Sequence, residues 1–259
     1  MLLAVDVGNT EISLGVFHAS ELAWTWRLST QSERTPDELA VLIGDLLRQR
    51  GLAFDSQITA VVVASVVPTV TQALREMTHR YFAFPPIVVG PGTKTGIPIK
   101  TDNPREVGAD RVVNALAAVE RYGAPCIVVD FGTATTYDAI SPKGEYIGGA
   151  IAPGLQASGA SLFNATARLT QVELVAPKSA IGRNTIESLQ SGLVFGTAAE
   201  VDGMVARVRA EVGNVTSIAT GGYADLVVPH CTSIDEHDPW LTLEGLRLIF
   251  ERNAGAADE

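Results

Sequence analysis

One order of elements is written twice in this chain, and that repetition limits the folds open to it more than any other feature. Leu2 to Val7 is a short apolar run, a buried strand by its length. Glu11 to Phe17 places Ile12, Leu14 and Val16 on one face. Leu22, Trp24, Trp26 and Leu28 then alternate with polar neighbours, and a period of two marks strands. In "TPDE", Thr35 caps a helix, Pro36 suits its first position and Glu38 completes a capping box. Leu39, Leu42, Ile43, Leu46 and Leu47 recur at helical spacing up to Gly51. Ile58 to Val67 reads as a buried strand, Pro68 and Thr69 open a helix to Tyr81, and Pro86 to Gly90 is a fifth strand. "NPREVGADRVVNALAAVERYG" reads as one further helix, with Asn103 as cap, Pro104 first and Glu106 three after the cap.

The series then restarts. "CIVVDFGTATTYDAI" is again an apolar strand, an acid, a Gly/Thr turn and a second strand, and Lys143-Gly144 turns the chain into a third, "EYIGGAIAPG". A helical pattern begins near Pro153 and resumes at Asn184, where "NTIE" is another capping box, to run to about Val212. A strand at Val215 to Ala219, a helix near Ala224 to Val228, a short strand around Thr232 to Ile234 and a last helix, "LTLEGLRLIFERN", complete the copy. Three strands, helix, strand, helix, strand, helix in each half predicts a duplicated βββαβαβα unit, an α/β fold, divided as 1–122 and 123–259. The second half carries an insertion, roughly Leu162 to Arg183, read as a loop near a site or an interface.

The two copies place Asp6 and Asp130 at equivalent strand ends, 124 residues apart, each before a tight glycine turn. Two such units facing each other make a cleft, with both acids pointing into it. Glycine lets the backbone approach a ligand, and hydroxyls and N–H groups hold phosphate oxygens. The acids repel phosphate but hold a cation that binds it. Either acid alone reads equally well as the start of an Asx-turn; the pair at matching positions favours the site.

Bulk chemistry removes several alternatives. Lys and Arg number 19 against 29 Asp and Glu, a formal charge of −10, with no basic run, so a nucleic-acid surface is not expected. The opening "MLLAV" meets Asp6 at once and reads as a strand and not as a signal peptide. No apolar run reaches the ~18 residues of a membrane span, so a soluble cytoplasmic protein without a membrane partner is expected. Cys126 and Cys231 read as core thiols, and His18, His79, His230 and His237 show no ligand pairing. "GPGTKTG" (90–96) has the wrong spacing for a P-loop, and no nucleophile elbow is present.

Paired "DxGxT" turns in duplicated units resemble the superfamily of actin, sugar kinases and acetate kinase, with its ribonuclease H-like units. Within it the chain resembles type III pantothenate kinases through "DVGNT" (6–10), "NPREVGADRVVN" (103–114), "VVDFGTATTYD" (128–138), "GGAIAPG" (148–154), "IGRNT" (181–185) and "ATGG" (219–222). That resemblance implies ATP-dependent phosphorylation of pantothenate, the first step towards coenzyme A, with magnesium, a monovalent cation (potassium or ammonium) and a homodimer.

The resemblance also distributes roles. Asp110 becomes the catalytic base, a carboxylate that accepts the proton of the attacking hydroxyl. Some seven residues inside the helix as read here, it would feel little of the helix dipole, the competing explanation for an acid there. Gly108 and Ala109 let the substrate approach, and Arg111 anchors its carboxylate, with a surface ion pair to Glu106 or Asp102 as the other reading. Asp6, Val7, Gly8, Asn9, Thr10, Glu11, Ile12 and Ser13 match the ATP phosphate segment, Asp6 orienting magnesium through water. Thr133 matches a phosphate contact, Asp130 the monovalent-cation ligand, and Thr185 a substrate contact that reaches across the dimer. Two positions depart from the pattern. Glu11 adds a negative charge beside the ATP phosphates, and Thr101 stands where relatives often carry a pocket tyrosine. A kinase for another small hydroxy compound, or a nucleotide-sensing regulatory protein of the same fold, are the alternatives.

Overall fold

The computed structural model describes residues 1–53, 56–82, 84–165 and 172–254. Part of the predicted insertion, 166–171, therefore lies outside the described residues. The strands are β1 (Leu2–Val7), β2 (Glu11–His18), β3 (Glu21–Ser29), β4 (Ala60–Ser65), β5 (Ile87–Val88), β6 (Cys126–Phe131), β7 (Ala134–Ile140), β8 (Tyr146–Pro153), β9 (Thr216–Thr220) and β10 (Glu236–His237). The helices are α1 (Pro36–Arg48), α2 (Pro68–Tyr81), α3 (Ala109–Tyr122), α4 (Leu155–Ala165), α5 (Thr185–Val212), α6 (Ala224–Val227) and α7 (Leu241–Ala254).

The duplication is present in the hydrogen bonds. One sheet runs β3-β2-β1-β4-β5 and the other β8-β7-β6-β9-β10, the same order in each copy. In both, the first strand pairs antiparallel with the second and parallel with the fourth. Asp6 lies opposite Ser13 and Ala64, while Asp130 lies opposite Thr136 and Thr220. The copies differ at the turn itself: Gly8, Asn9 and Thr10 link the first pair, but only Gly132 and Thr133 link the second.

In the first unit, Leu3, Val5 and Val7 of β1 and Ile12, Leu14 and Val16 of β2 point to one side. There they meet Leu39, Ile43 and Leu47 of α1 and Val70, Leu74 and Met77 of α2. Alternation at period two on the strands and three-to-four spacing on the helices produce this layer. Truncating Ile43 or Leu74 to Ala would cost ~2–5 kcal/mol. In the second unit, Ile127, Val129, Phe131 and Tyr137 pack on Leu193, Val201 and Val205 of α5. By packing, the first unit comprises Met1–Gly96, Asn103–Ala117 and the chain from Thr242 onward, and the second Ile97–Asp102 and Ala118–Leu241. The duplication and the packing thus divide the chain differently, because α7 ends the second copy in sequence yet belongs to the first unit.

Local signals decide most boundaries. Thr35 caps α1 through its Oγ1, which accepts from the Glu38 N–H, while Glu38 takes the Thr35 N–H at 2.8 Å, a complete capping box. At α5 the box is altered: Asn184 Oδ1 accepts from Glu187 N–H at 2.9 Å, but Glu187 reaches one residue further back, to Arg183 N–H. The single helix expected from Asn103 is two pieces. Asn103 caps only a 3-10 turn, Pro104–Glu106; Val107 is extended, and α3 begins at Ala109. The short strand expected at Thr232 to Ile234 lies instead at Glu236–His237, because Asp202 binds the backbone of Thr232 and Ser233 and takes those donors.

Candidate active site

The first acid turn is closed by its own backbone and pinned by the end of β3. Gly8 N–H donates to the Glu11 carbonyl at 2.9 Å. Thr30 donates its hydroxyl to the Gly8 carbonyl at 2.8 Å and its N–H to the Thr10 carbonyl at 2.9 Å. Asn9 and Thr10 are exposed, Asp6 and Ser13 half-buried, and Val7 and Ile12 buried in the core beneath. The turn is therefore a solvent-facing edge tied down by its own backbone and by Thr30. Thr30 carries no motif signal and is found only through its hydrogen bonds.

Glu11 does not lie unopposed beside that turn. Its carboxylate faces Arg27 of β3, 3.5 Å from Nε. The charge that seemed out of place in the sequence has a partner two residues from its own cross-strand neighbour, Ser29.

Asp110 sits in the first turn of α3, not seven residues in, because the helix starts at Ala109. Its Oδ1 accepts from the Arg111 N–H at 2.9 Å. The helix dipole is therefore a full part of the explanation for an acid at this position. A Cβ on Gly108 would stand 2.5 Å from that oxygen, so a side chain there would have to push the carboxylate aside. Glu106, one candidate partner for Arg111, accepts from Asn103 Nδ2 at 2.6 Å. Asp6, Glu11, Ser13 and Gly108 to Arg111 all lie in the first unit.

Asp130, Thr133 and Thr185 lie in the second unit. Asp130 is half-buried and Thr133 exposed. Two glycines from distant motifs close on this turn. A Cβ on Gly154 would stand 2.4 Å from the Thr133 carbonyl oxygen and 2.5 Å from that of Gly132. Gly221, at φ +96°, is equally tight against Asp130 Oδ1 and the Phe131 N–H. The matches "GGAIAPG" and "ATGG" therefore have a physical cause: both bring bare backbone against the acid turn. Thr136, opposite Asp130, donates to Asp138 at 3.1 Å, and Tyr146 donates to the same buried carboxylate at 2.7 Å. Thr185 is the first residue of α5 and is exposed, just past the Asn184 cap. Beside it, Lys178, Ile181, Arg183 and Gln190 help to line a cavity of about 490 Å³ in the described part of the insertion. Thr101, the other departure, has its Oγ1 buried without a hydrogen-bond partner.

The donor set suits the groups that the resemblance implies. Among the described residues, no three His, Cys, Asp or Glu gather into a metal cage. Magnesium in phosphoryl-transfer sites needs none, since one or two carboxylates and the phosphates hold it, and Asp6 meets that need. A monovalent cation asks for several oxygens; those of this turn are the Asp130 carboxylate, which lies against Gly221, and the Gly132 and Thr133 carbonyls, which lie against Gly154.

Residues 2–207 match the sequence model of the family described as type III pantothenate kinase. A type III pantothenate kinase of Streptomyces griseus is 52% identical over 99% of this chain and 100% of its own. Among solved structures, a putative Baf family transcriptional activator from Campylobacter jejuni superposes with a TM-score of 0.59 at 19% identity, covering 98% of this chain and 99% of the other. A ROK hexokinase from Thermus thermophilus gives 0.55 at 14% identity, covering 98% and 99%. The structural likenesses agree with the duplicated α/β fold, and the sequence matches go further: the chain belongs to the type III pantothenate kinase family.

Proposed function

We propose that this chain transfers the γ-phosphate of ATP to the primary hydroxyl of pantothenate, the first committed chemistry towards coenzyme A. The observation that carries the reading is 52% identity to a type III pantothenate kinase along essentially the whole chain, with Asp6, Asp110 and Asp130 all in place. The pantothenate hydroxyl oxygen bonds to the γ-phosphorus while the bond from that phosphorus to the β–γ bridging oxygen breaks. The products are 4'-phosphopantothenate and ADP. Asp110 accepts the hydroxyl proton, and Arg111 holds the pantothenate carboxylate. Residues Asp6 to Ser13 and Thr133 bind the phosphates, and Thr185 contacts the substrate. Magnesium, when bound through Asp6 and water, neutralises phosphate charge. Asp130 holds potassium or ammonium.

The exposed apolar residues Ile147, Ile151, Ile181 and Ile186 support a homodimer formed through the second unit. A cytoplasmic enzyme with no nucleic-acid or membrane partner fits the acidic composition, and no described helix is long and apolar enough to cross a membrane. The test is ADP release with pantothenate in potassium and in sodium. Turnover in potassium, much reduced in sodium, is expected; no turnover under either ion overturns the proposal.

A further inference from the structure

We infer that Lys94, in the glycine-rich loop 90–96, binds an oxyanion of a substrate with its ammonium, and that Asn253 and Arg252 hold the loop in position for it. The inference rests on the kinase reading. The loop, GPGTKTG, lacks the spacing of a P-loop, so its place in the fold decides its task. β1 runs parallel to β4 and β4 to β5, with Val5 opposite Val63 and Val63 opposite Val88. All three strands therefore end at one edge of the sheet. There β1 leads into the acid turn through Gly8, and β5 leads into the loop. Neighbouring strands lie ~4.8 Å apart, so the two exits are about 10 Å apart. Open α/β sheets bind ligands outside the carboxyl ends of their strands, and this edge also carries Asp6. Loop, acid turn and α7 all belong to the first unit.

An exposed lysine on a surface loop is ordinarily a solvated charge on a movable backbone. Here the backbone is tied from both sides. Asn253 Oδ1 accepts from the Lys94 N–H at 3.0 Å, and Asn253 Nδ2 donates to the Lys94 carbonyl at 3.0 Å. Arg252 donates to the Thr95 carbonyl at 3.0 Å. Gly96, at φ +75°, lets the Arg252 guanidinium lie against bare backbone, where a Cβ would overlap it. At the loop's start, Thr93 Oγ1 accepts from the Gly90 N–H at 3.1 Å and donates to the Val88 carbonyl at 3.2 Å. These ties use the main chain of Lys94 and leave its side chain exposed, with no hydrogen bond or ion pair to it among the described residues. The surroundings are poor in acid as well. No Asp or Glu occurs between Glu76 and Asp102, although the chain holds 29. A cation on a fixed backbone, at the edge where phosphates are proposed to bind, gives an oxyanion a contact whose ordering cost is already met. The substrates offer two such groups, the polyphosphate of ATP and the carboxylate of pantothenate.

The test measures two constants on the full chain, the calorimetric affinity for the magnesium complex of β,γ-imido-ATP and the KM for pantothenate, with thermal melting beside them. Lys94→Gln alters an exposed side chain and should melt within about 2 °C of the unmodified chain. One constant should weaken ~10- to 100-fold, the loss of a charge-assisted hydrogen bond, while the other moves less than about threefold. A loss confined to the analogue assigns the oxyanion to the polyphosphate; a loss confined to the KM assigns it to the carboxylate. Lys94→Arg keeps the charge and should recover part of the loss. Asn253→Ala should weaken the same constant, and adding Lys94→Gln to it should cost less than Lys94→Gln costs alone, since both act through one ammonium. A Lys94→Gln protein with both constants within about twofold of normal overturns the inference. So do equal losses in both constants, the mark of a displaced loop. An Asn253→Ala protein that melts lower but keeps both constants overturns the positioning role. If the unmodified chain turns over pantothenate and Lys94→Gln does so with unchanged constants, this inference falls alone. If the unmodified chain neither binds the analogue nor turns over pantothenate, it falls together with the kinase reading.

Discussion

A side chain on Gly221 would occupy the place of the Asp130 carboxylate: its Cβ would lie 2.4 Å from Asp130 Oδ1 and 2.6 Å from the Phe131 backbone nitrogen. The glycine also holds φ +96°, a conformation that other residues adopt at a cost. Gly221→Ala should therefore displace the second acid turn. We expect a loss of ~2 kcal/mol or more, which for a chain of this size is a fall of ~4–8 °C in melting temperature. A melting scan checks it, and a retained potassium response in the same variant would show that the turn had not moved.

Asp110→Asn keeps the shape of the side chain and removes its basicity. Turnover with pantothenate should fall ~10²- to 10⁴-fold, the range of general-base catalysis. Binding of the ATP analogue should stay within about threefold, because Asp110 lies on α3 and the proposed phosphate segment on β1 and β2. Single-turnover kinetics beside calorimetry separate the two.

Asp130→Ala should chiefly remove the difference between potassium and sodium. Titrating each salt at saturating substrates reads this directly. A variant that still distinguishes the ions places the cation elsewhere.

Acid should loosen the second unit through Asp202. Burial alone would push this carboxyl up, but hydrogen bonds from Ser233 and Thr232 outweigh it and hold it below the ordinary value. Thr232 donates its N–H at 2.9 Å and its hydroxyl at 2.7 Å, and Ser233 its N–H at 2.9 Å. A lowered carboxyl stabilises the fold fully above the unfolded-state value of ~3.9 and loses that contribution as pH falls through the folded-state value. Asp235, held down by Ser217 and Arg209 against the same burial, acts in the same window. Asp202→Asn should flatten the decline in melting temperature below about pH 4.

Thr35→Ala should cost ~1 kcal/mol by removing the cap of α1. Its effect on activity should be nil, since Thr35 contributes to no site residue. Melting and turnover of the same preparation check both halves.

Legibility in the sequence followed the range of the interaction. The capping box of α1, the period-two faces of β1 to β3 and the repeat itself are local signals, and each appears where the residues place it. The break between Glu106 and Ala109 was missed because Pro104 and Asn103 signal a helix start equally well for one turn or for four. The strand at Glu236–His237 was displaced from Thr232 by a carboxylate on a distant helix, which no local pattern announces. At the site, the acids and glycines were readable as motifs. Their reasons were not: Gly154 and Gly221 are small because of a turn that precedes them by some twenty and ninety residues in the chain. The Glu11 to Arg27 pair needed the register of β2 on β3, which sequence alone leaves open.

The last helix belongs to the first unit, and this has a consequence for synthesis. Leu243 of α7 packs over Gly15, a Cβ on Gly245 would stand 2.3 Å from the Val113 carbonyl of α3, and Asn253 brackets Lys94 through both its N–H and its carbonyl. The packing of the first unit is thus incomplete until α7 has been made. The nascent N-terminal half must wait, with one side of its sheet uncovered, for the whole second copy to be made. The first unit thus depends on a helix encoded after the second, and removing α7 would strip part of its covering.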